Sequence, residues 1–489
     1  MKALFSLILS RFLGVLIVST LLSTAHGASH QYQWIIAGAG PSGLSTALFL
    51  LDAGVNPKDL LVLEMRHESG VIDEEAHQAT FSKFAHGTRS RTIGLEQTTV
   101  DLLEKSGVKL QGSPLEAISF HYDYDINGAL TGAQRRIGIS RNHLHLIEGI
   151  TNRQFRKTIS ISDLEKSLLK AFRAKGGTVQ FRRKAYLKPV GNDVEVTAQS
   201  PDGNVQTYYS KFGVIADGKS STSRTALGVD FTNVENDVRQ IYLSADFNWP
   251  RLQGHNYRKG ALHLFFDRDS KMIAYVGAAE TGGSIGLLLP QNTVLSEQTI
   301  DDYRPLLRVI AQAIDLPLQN LKEPAIFSGE LQQTEKVVHG NITIIGDAVR
   351  STDPISANGV NVAILDAWQV AQFEKEKWNG IKKAQENLES NIKANTKWSI
   401  QGSLYFQEMI KWWLKTRSKP NPSILQSSVT SDSPASRLIY KILSIGLFFV
   451  PKSQKIKFGE LGASIFKAPS PPKFTGMRPD CGDFIKKKN

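Results

Sequence analysis

The segment from Tyr32 to Glu64 constrains the fold more than any other part of the chain. Tyr32-Gln-Trp-Ile-Ile-Ala37 is a run of β-formers that leads straight into Gly38-Ala-Gly40-Pro-Ser-Gly43. Leu44, Ala47, Leu48 and Leu51 then recur with helical spacing, and Gly54 supplies a stop. Leu60-Leu-Val-Leu63 is a second apolar strand, ending on Glu64. Strand, glycine-rich turn, helix, strand and acid in this order make a dinucleotide-binding βαβ unit. Gly38 permits the tight turn. Gly40 lets the backbone approach a pyrophosphate held at the helix N-terminus, and Gly43 lets the helix lie close on the strand. Glu64, 21 residues after Gly43, is placed to accept hydrogen bonds from an adenosine ribose. Its charge would repel a 2′-phosphate, so the site suits FAD or NAD rather than NADP.

The 489 residues exceed one ordinary core, which predicts two or more domains. The single cysteine, Cys481, excludes an internal disulfide and any cysteine-based zinc or iron–sulfur site. The segment from Ala371 to Asn489 holds 21 Lys+Arg against 9 Asp+Glu and so carries the entire net charge of +12. An acidic partner is therefore expected at the C-terminal quarter. No nucleic-acid motif accompanies the charge, so the expected partner is a membrane surface and not nucleic acid.

Two later segments repeat one pattern, an apolar strand that ends in a small residue and an aspartate. Phe212-Gly-Val-Ile-Ala-Asp217-Gly218 runs on to Lys-Ser-Ser-Thr-Ser-Arg224. Ile342-Thr-Ile-Ile-Gly346-Asp347-Ala348 is followed by Asp353-Pro354-Ile-Ser-Ala357-Asn-Gly359-Val-Asn361. Each puts a carboxylate at the C-terminal edge of a sheet, where ligands bind in such folds. With the first motif, these segments resemble the single-component FAD-dependent hydroxylases with the aromatic-hydroxylase fold, from about Gln33 to Gln372. The resemblance implies an α/β chain: a Rossmann-like FAD-binding domain, an inserted antiparallel β-sheet substrate domain and a C-terminal helical region. With a signal peptide read separately from residues 1–27, the chain divides into FAD-binding segments (28–110, 161–230 and 331–400) and substrate-domain segments (111–160 and 231–330). C-terminal amphipathic helices with a Ser/Pro linker (401–467) and a basic tail (468–489) follow.

The implied cofactor is non-covalent FAD, since no Cys or His stands in an attachment motif. Asp347 would accept hydrogen bonds from ribityl hydroxyls, and Asp217 would lie near the pyrophosphate. Gly359 and Asn361 open a helix, Val360 to Phe373, whose N-terminal amides can stabilise negative charge on the flavin. Arg89, Arg91 and Gln97, in and after Thr88-Arg-Ser-Arg-Thr-Ile-Gly-Leu95, match the family segment that reaches the pyrophosphate and ribityl chain. Gly346 completes the cofactor set, and no metal site is expected. The family's Gly-Asp-Ala-Ala-His is Gly346-Asp-Ala-Val-Arg350 here, a permanent cation in place of a titratable ring. The usual Glu-Arg pair is displaced by one, as Glu64-Met65-Arg66.

The activity this implies is monooxygenation. NAD(P)H would bind transiently and reduce FAD, since no second G-x-G-x-x-G is present. O₂ would add at flavin C4a, and the hydroperoxide's distal oxygen would pass to a small organic or lipid-like substrate. No catalytic base is assigned; Arg350 and Pro354 are the supporting residues expected beside the flavin. A flavin-dependent reductase or dehydrogenase of a lipid-like substrate, and a non-catalytic flavin-binding membrane adaptor, are the alternatives.

Between the motifs, Ser162 is expected to cap an amphipathic helix, followed by a β-meander through Phe181, Val194 and the Pro201-Asp-Gly-Asn turn. Ile241–Phe247, Ala261–Phe266, Met272–Val276 and Ile285–Leu289 alternate as strands of the substrate sheet, their apolar side chains read as core. His143 and His145 read as an exposed pair with no third ligand at a fixed spacing.

The two ends carry addresses. Phe12 to Leu22 is an apolar run of 11 residues between Arg11 and the small residues Ala25 and Gly27, the layout of a signal peptide cut before Ala28. The run reaches about 17 Å as a helix, short of the roughly 30 Å hydrocarbon core. Export to a secreted, periplasmic or lumenal location is expected, with an uncleaved anchor as the alternative. Leu404 to Lys415 is an aromatic-rich amphipathic helix, and Leu438 to Val450 an apolar one suited to lying in a membrane interface or packing on the FAD domain.

Overall fold

The apolar strands of the sequence assemble into two sheets of opposite character. The computed structural model describes residues 32–68, 91–114, 117–124, 135–140, 155–234, 240–248, 261–267, 273–278, 282–289, 293–313, 316–354 and 358–417. Residues 1–31, in which a signal peptide is expected, Arg89, His143, His145 and everything after Arg417 lie outside these residues.

The first sheet has eight strands. Tyr32–Ala37 lies at its centre, parallel to Leu60–Glu64 on one side and to Val205–Ile215 on the other. Thr178–Phe181 continues beyond Leu60–Glu64, and Ile342–Ile344 beyond Val205–Ile215, both parallel. Val338–His339 closes that edge, and the Lys184–Val190 and Asp193–Gln199 meander leads antiparallel into Val205–Ile215. Ile35, Ile36, Leu61, Val62, Val214 and Ile344 are fully buried because helices cover one face and the meander crosses the other, where a Cβ on Gly213 would lie 2.7 Å from Leu187. Pro41–Asp52 packs against Ile161–Ala174 on one side and Asn358–Glu376 on the other. The cap of the Ile161–Ala174 helix is Ser160, not Ser162: Ser160 Oγ accepts from Asp163 N at 2.9 Å. Only the residue before the first turn can reach that amide, and Ser162 is already inside it.

The second sheet has seven strands, in the order Ala325–Gly329, Gln240–Asn248, Gly282–Leu289, Ile273–Ala278, Ala261–Asp267, Ala117–Tyr124, Arg135–Ser140. The four strands read from alternation are all present. One pair, Ala261–Asp267 with Ala117–Tyr124, is parallel in an otherwise antiparallel sheet. Phe155–Ser160, expected with the substrate segments, pairs instead with Thr92–Glu96 in a small separate sheet. Ile241, Leu243, Ala245, Phe247, Ala274, Val276, Ile285 and Leu287 point to one face, where Ile300, Leu307 and Ile310 of the Glu297–Ala313 helix cover them. Each such side chain contributes about 1.5–3 kcal/mol by burial.

The C-terminal helix is longer than expected. It runs unbroken from Ile381 to Arg417, so Leu404–Lys415 is its final turns rather than a separate element.

Candidate functional site

Three turns meet at the C-terminal edge of the parallel sheet. Gly38 has φ +103°, and a Cβ there would lie 2.5 Å from Ala216 O and 3.0 Å from Asp217 Cα. The phosphate-loop turn and the Asp217 turn are therefore in direct backbone contact. A Cβ on Gly43 would fall 1.9 Å from Gly38 O, which is how closely the Pro41–Asp52 helix lies on its strand. Gly346, at φ +63°, brings the third turn in: its Cβ position is 2.7 Å from Ser42 Oγ. Next to it, a Cβ on Gly359 would lie 3.7 Å from Asp347 Oδ1.

The side chains at this junction suit an anionic, hydroxyl-bearing ligand. Ser42 Oγ and Asp217 Oδ1 are buried and make no hydrogen bond among the described residues. Asp217 Oδ2 accepts from Ser223 N at 3.2 Å, and burial raises the Asp217 pKa against that hydrogen bonding. Asp347 is reached by solvent, although the protein packed around it desolvates its carboxylate. Its pKa is raised by desolvation, opposed by the charges of Arg350, Arg91 and Lys219. Unpartnered polar atoms at a glycine-lined turn fit FAD. Ser42, Asp217 and the turn amides would hold the pyrophosphate region, and Asp347 the ribityl hydroxyls.

Other expected site residues turn elsewhere. Arg350 is 2% exposed and points inward: Nη2 donates to Asp366 Oδ2 at 2.6 Å and Nη1 to Thr396 Oγ1 at 3.2 Å. Asp366 Oδ2 also accepts from Gly346 N at 3.1 Å, and Oδ1 from Asn395 Nδ2 at 2.9 Å. Burial pushes the Asp366 pKa up, against Arg350 and these donors. Arg350 thus ties the Gly346-Asp347 turn to the C-terminal helix. Asn361 Nδ2 donates to Gly94 O at 2.8 Å and its Oδ1 accepts from Glu96 N at 2.9 Å, which anchors the Thr92–Glu96 strand. Gln97 Nε2 donates to Asp101 Oδ1 at 2.6 Å. Pro354 packs on Gly329, where a Cβ would meet its Cδ at 2.8 Å.

The residues that sequence reasoning missed lie on the second face of the seven-stranded sheet. Tyr242, Ser244 and Asp246 alternate with the core residues of their strand, beside Tyr275, Ser284 and Gly286 of its neighbours. Tyr275 lies across Gly286, whose Cβ position is 2.2 Å from the ring, and brings its hydroxyl toward Ser244, which pairs with Gly286. The Tyr275 and Ser244 hydroxyls are buried and face each other, with no other hydrogen-bond partner among the described residues. Tyr242 OH donates to Asp353 Oδ1, whose Oδ2 accepts from Gln407 Nε2 at 2.8 Å. Burial and the Asp353 charge hold the Tyr242 hydroxyl well above its ordinary pKa. Thr92 N donates to Ser284 Oγ at 3.2 Å, which holds the start of the Thr92–Glu96 strand, and Arg91 before it, against this face. The charge of Arg91 opposes the burial that raises the pKa of Tyr275 and of Asp347, and to the least degree that of Tyr242. The polar alternation Tyr242, Ser244, Asp246 was the signal available in the sequence.

The pattern of the family described as "FAD binding domain" matches residues 31–380, which spans all three turns and the inserted sheet. The chain belongs to this FAD-binding family. A monooxygenase of Claviceps purpurea (strain 20.1) is 24% identical over 355 residues, 70% of this chain and 63% of the relative, so the chain spans under two thirds of that protein. The violacein synthase of Chromobacterium violaceum is 24% identical over 351 residues, 68% of this chain and 75% of the relative. The fold is shared with p-nitrophenol 4-monooxygenase of Pseudomonas putida DLL-E4 (TM-score 0.60, 15% identity, 85% of this chain and 98% of that one). It is also shared with aklavinone-11 hydroxylase in its complex with FAD and aklavinone (TM-score 0.58, 18% identity, 77% of this chain and 68% of that one).

Proposed function

We propose that this FAD-binding protein is a monooxygenase acting on a small organic or lipid-like substrate that lies between the Asp347 turn and the polar face of the seven-stranded sheet. The observation that carries the reading is the packing of the Thr92–Glu96 strand on that polar face: Thr92 N donates to Ser284 Oγ at 3.2 Å and Thr92 Cβ lies 3.2 Å from where a Cβ on Gly277 would sit. The curated relatives, a monooxygenase and a violacein synthase, support the same chemistry. Bound FAD supplies electron transfer and oxygen activation. The chain's own residues do the rest. Ser42, Asp217 and Asp347 orient the cofactor. The Tyr275 and Ser244 hydroxyls offer hydrogen bonds to a polar group of the substrate. Tyr242, Asp353 and Gln407 tie the polar face to the Gly346 region and the C-terminal helix, keeping the pocket walls in register and water out. NAD(P)H is the proposed donor, bound without a domain of its own.

The test is NAD(P)H oxidation by FAD-loaded protein in air and without oxygen, with phenolic and polycyclic substrates and ¹⁸O₂. Substrate-stimulated oxidation with one labelled oxygen in the product is expected. Equal turnover without oxygen would assign a reductase that passes the NAD(P)H electrons to the substrate, and no turnover with any donor would assign a binding protein.

A membrane-surface location is favoured by a specific feature. Trp378 is 81% exposed, next to exposed Ile381, Lys375, Lys382 and Lys383. Gln33 Nε2 donates to Glu374 at 2.9 Å, so the chain enters its first strand beside this patch, just after the N-terminal apolar run. Among the described residues no helix is long and apolar enough to cross a membrane. Flotation with anionic vesicles, lost on Trp378→Ser, is the expected result, and N-terminal sequencing from the native host would decide between cleavage near Ala28 and a retained anchor.

A further inference from the structure

The acid at the end of the second strand has a companion. Glu64 and Glu165 are both buried, and both grip Arg66, itself buried. Arg66 Nε donates to Glu64 Oε1 at 2.8 Å and Nη2 to Glu64 Oε2 at 3.2 Å, while Nη1 donates to Glu165 Oε2 at 3.0 Å. Glu64 Oε2 also accepts from Ala39 N at 2.6 Å, inside the phosphate-binding turn. The second Glu165 oxygen, Oε1, is 3.7 Å from where a Cβ on Gly40 would sit. Gly40 is the glycine at which the backbone is expected to approach a pyrophosphate.

The one-residue displacement of the arginine now has a physical reading. Side chains two apart on an extended chain share a face. Met65 turns to solvent, while Arg66 returns to the side of Glu64 and reaches across to the Ile161–Ala174 helix. Two buried carboxylates beside an anionic ligand repel it and each other unless a cation lies between them. Burial works against the charge of Arg66, but Glu165 and Glu64 together hold its pKa above the ordinary value. The guanidinium fork reaches both acids at once, which a lysine could not do with the same geometry.

We infer that Arg66 and Glu165 are unassigned members of the FAD site: Glu165 is a second carboxylate beside the phosphate-binding turn, and Arg66 is the positioning residue that allows Glu64 and Glu165 to lie there together. This rests on the FAD-binding assignment. It is tested by titrating apoprotein with FAD through flavin fluorescence while recording the melting temperature of each apoprotein. Arg66→Met is expected to weaken FAD binding by roughly a hundredfold, since breaking a buried ion pair leaves uncompensated charge. Arg66→Met/Glu165→Gln should recover about tenfold of that loss, because one of the two carboxylates is gone. Should Arg66→Met not fold, Arg66→Lys is expected to bind FAD about tenfold more weakly than wild type, as the fork is lost and the charge kept. A double variant that melts like wild type yet binds FAD as weakly as Arg66→Met would overturn the inference, leaving the cluster a purely structural one. Wild-type affinity in Arg66→Lys would overturn it too. No saturable binding by the wild-type apoprotein would instead remove the FAD assignment, and the inference with it.

Discussion

The two sheets place function differently. The eight-stranded sheet is apolar on both faces, and its chemistry sits in the turns at its C-terminal edge, where Gly38, Asp217 and Gly346 meet. The seven-stranded sheet divides its faces, with Leu243, Val276 and Leu287 under a helix on one side and Tyr242, Ser244 and Tyr275 on the other. The parallel sheet is buried on both sides, by helices on one and by the meander of residues 184–199 on the other, so only its edge stays open to a ligand. An antiparallel sheet can leave a whole face available. The two halves should therefore respond differently to substitution: the edge through backbone geometry, the face through single hydroxyls.

The largest effect is expected at the edge. Gly43→Val puts side-chain atoms where a Cβ already falls 1.9 Å from Gly38 O, so the helix must leave its strand. Flavin absorbance of purified protein should be absent; a yellow, folded Gly43→Val protein would break the close-packing account. Next is Asp366→Ala, which strands buried Arg350 and frees Gly346 N. It should cost about 3–5 kcal/mol in chemical denaturation, and Asp366→Leu/Arg350→Met should regain most of that.

On the other sheet, Leu287→Ala on the apolar face should cost about 2–4 kcal/mol with FAD affinity unchanged. Changed affinity would mean that the face is not simply core.

Asp347→Asn separates function from stability. FAD affinity should fall about tenfold, as a hydrogen bond to a charged group is replaced by a neutral one. Burial raises the Asp347 pKa, so the native apoprotein holds this proton more tightly than the unfolded chain does. That contribution is complete below the ordinary carboxylate pKa and is lost as pH rises through the raised value. Asn does not titrate, so the variant's melting temperature should match wild type in acid and exceed it near neutral pH. A variant less stable than wild type near neutral pH would contradict this.

The smallest stability effect belongs to Tyr275→Phe. Its hydroxyl has no partner of normal geometry, so stability should move by no more than about 0.5 kcal/mol. KM for the substrate should rise and coupling of NAD(P)H oxidation to oxygenation should fall. A large loss of stability with unchanged kinetics would return Tyr275 to the core.

The edge was far more legible than the face. A glycine at Gly38 or Gly43 records a local backbone demand, so strand, turn, helix and acid could be read in order from Tyr32 to Glu64. Side-chain direction was not local. Arg350 follows Asp347 by three residues, yet points inward because Asp366 and Thr396 wait for it on two helices. Asn361 sits within the expected helix start but is drawn to Gly94 and Glu96, more than 260 positions earlier in the chain. Ser160 and Ser162 are equally good caps by type, and only the position of the first turn separates them.

The sequence by itself determined the parallel sheet, the order of the three turns and the dinucleotide site, because glycine placement and apolar strands act over a few residues. The tertiary structure alone decided which charges pair and which hydroxyls gather on the second face of the seven-stranded sheet. Arg66 meets Glu165 across 99 positions, and Tyr242 meets Asp353 across 111. Buried polar groups take the partner that packing brings within reach, and packing is settled by the whole chain at once.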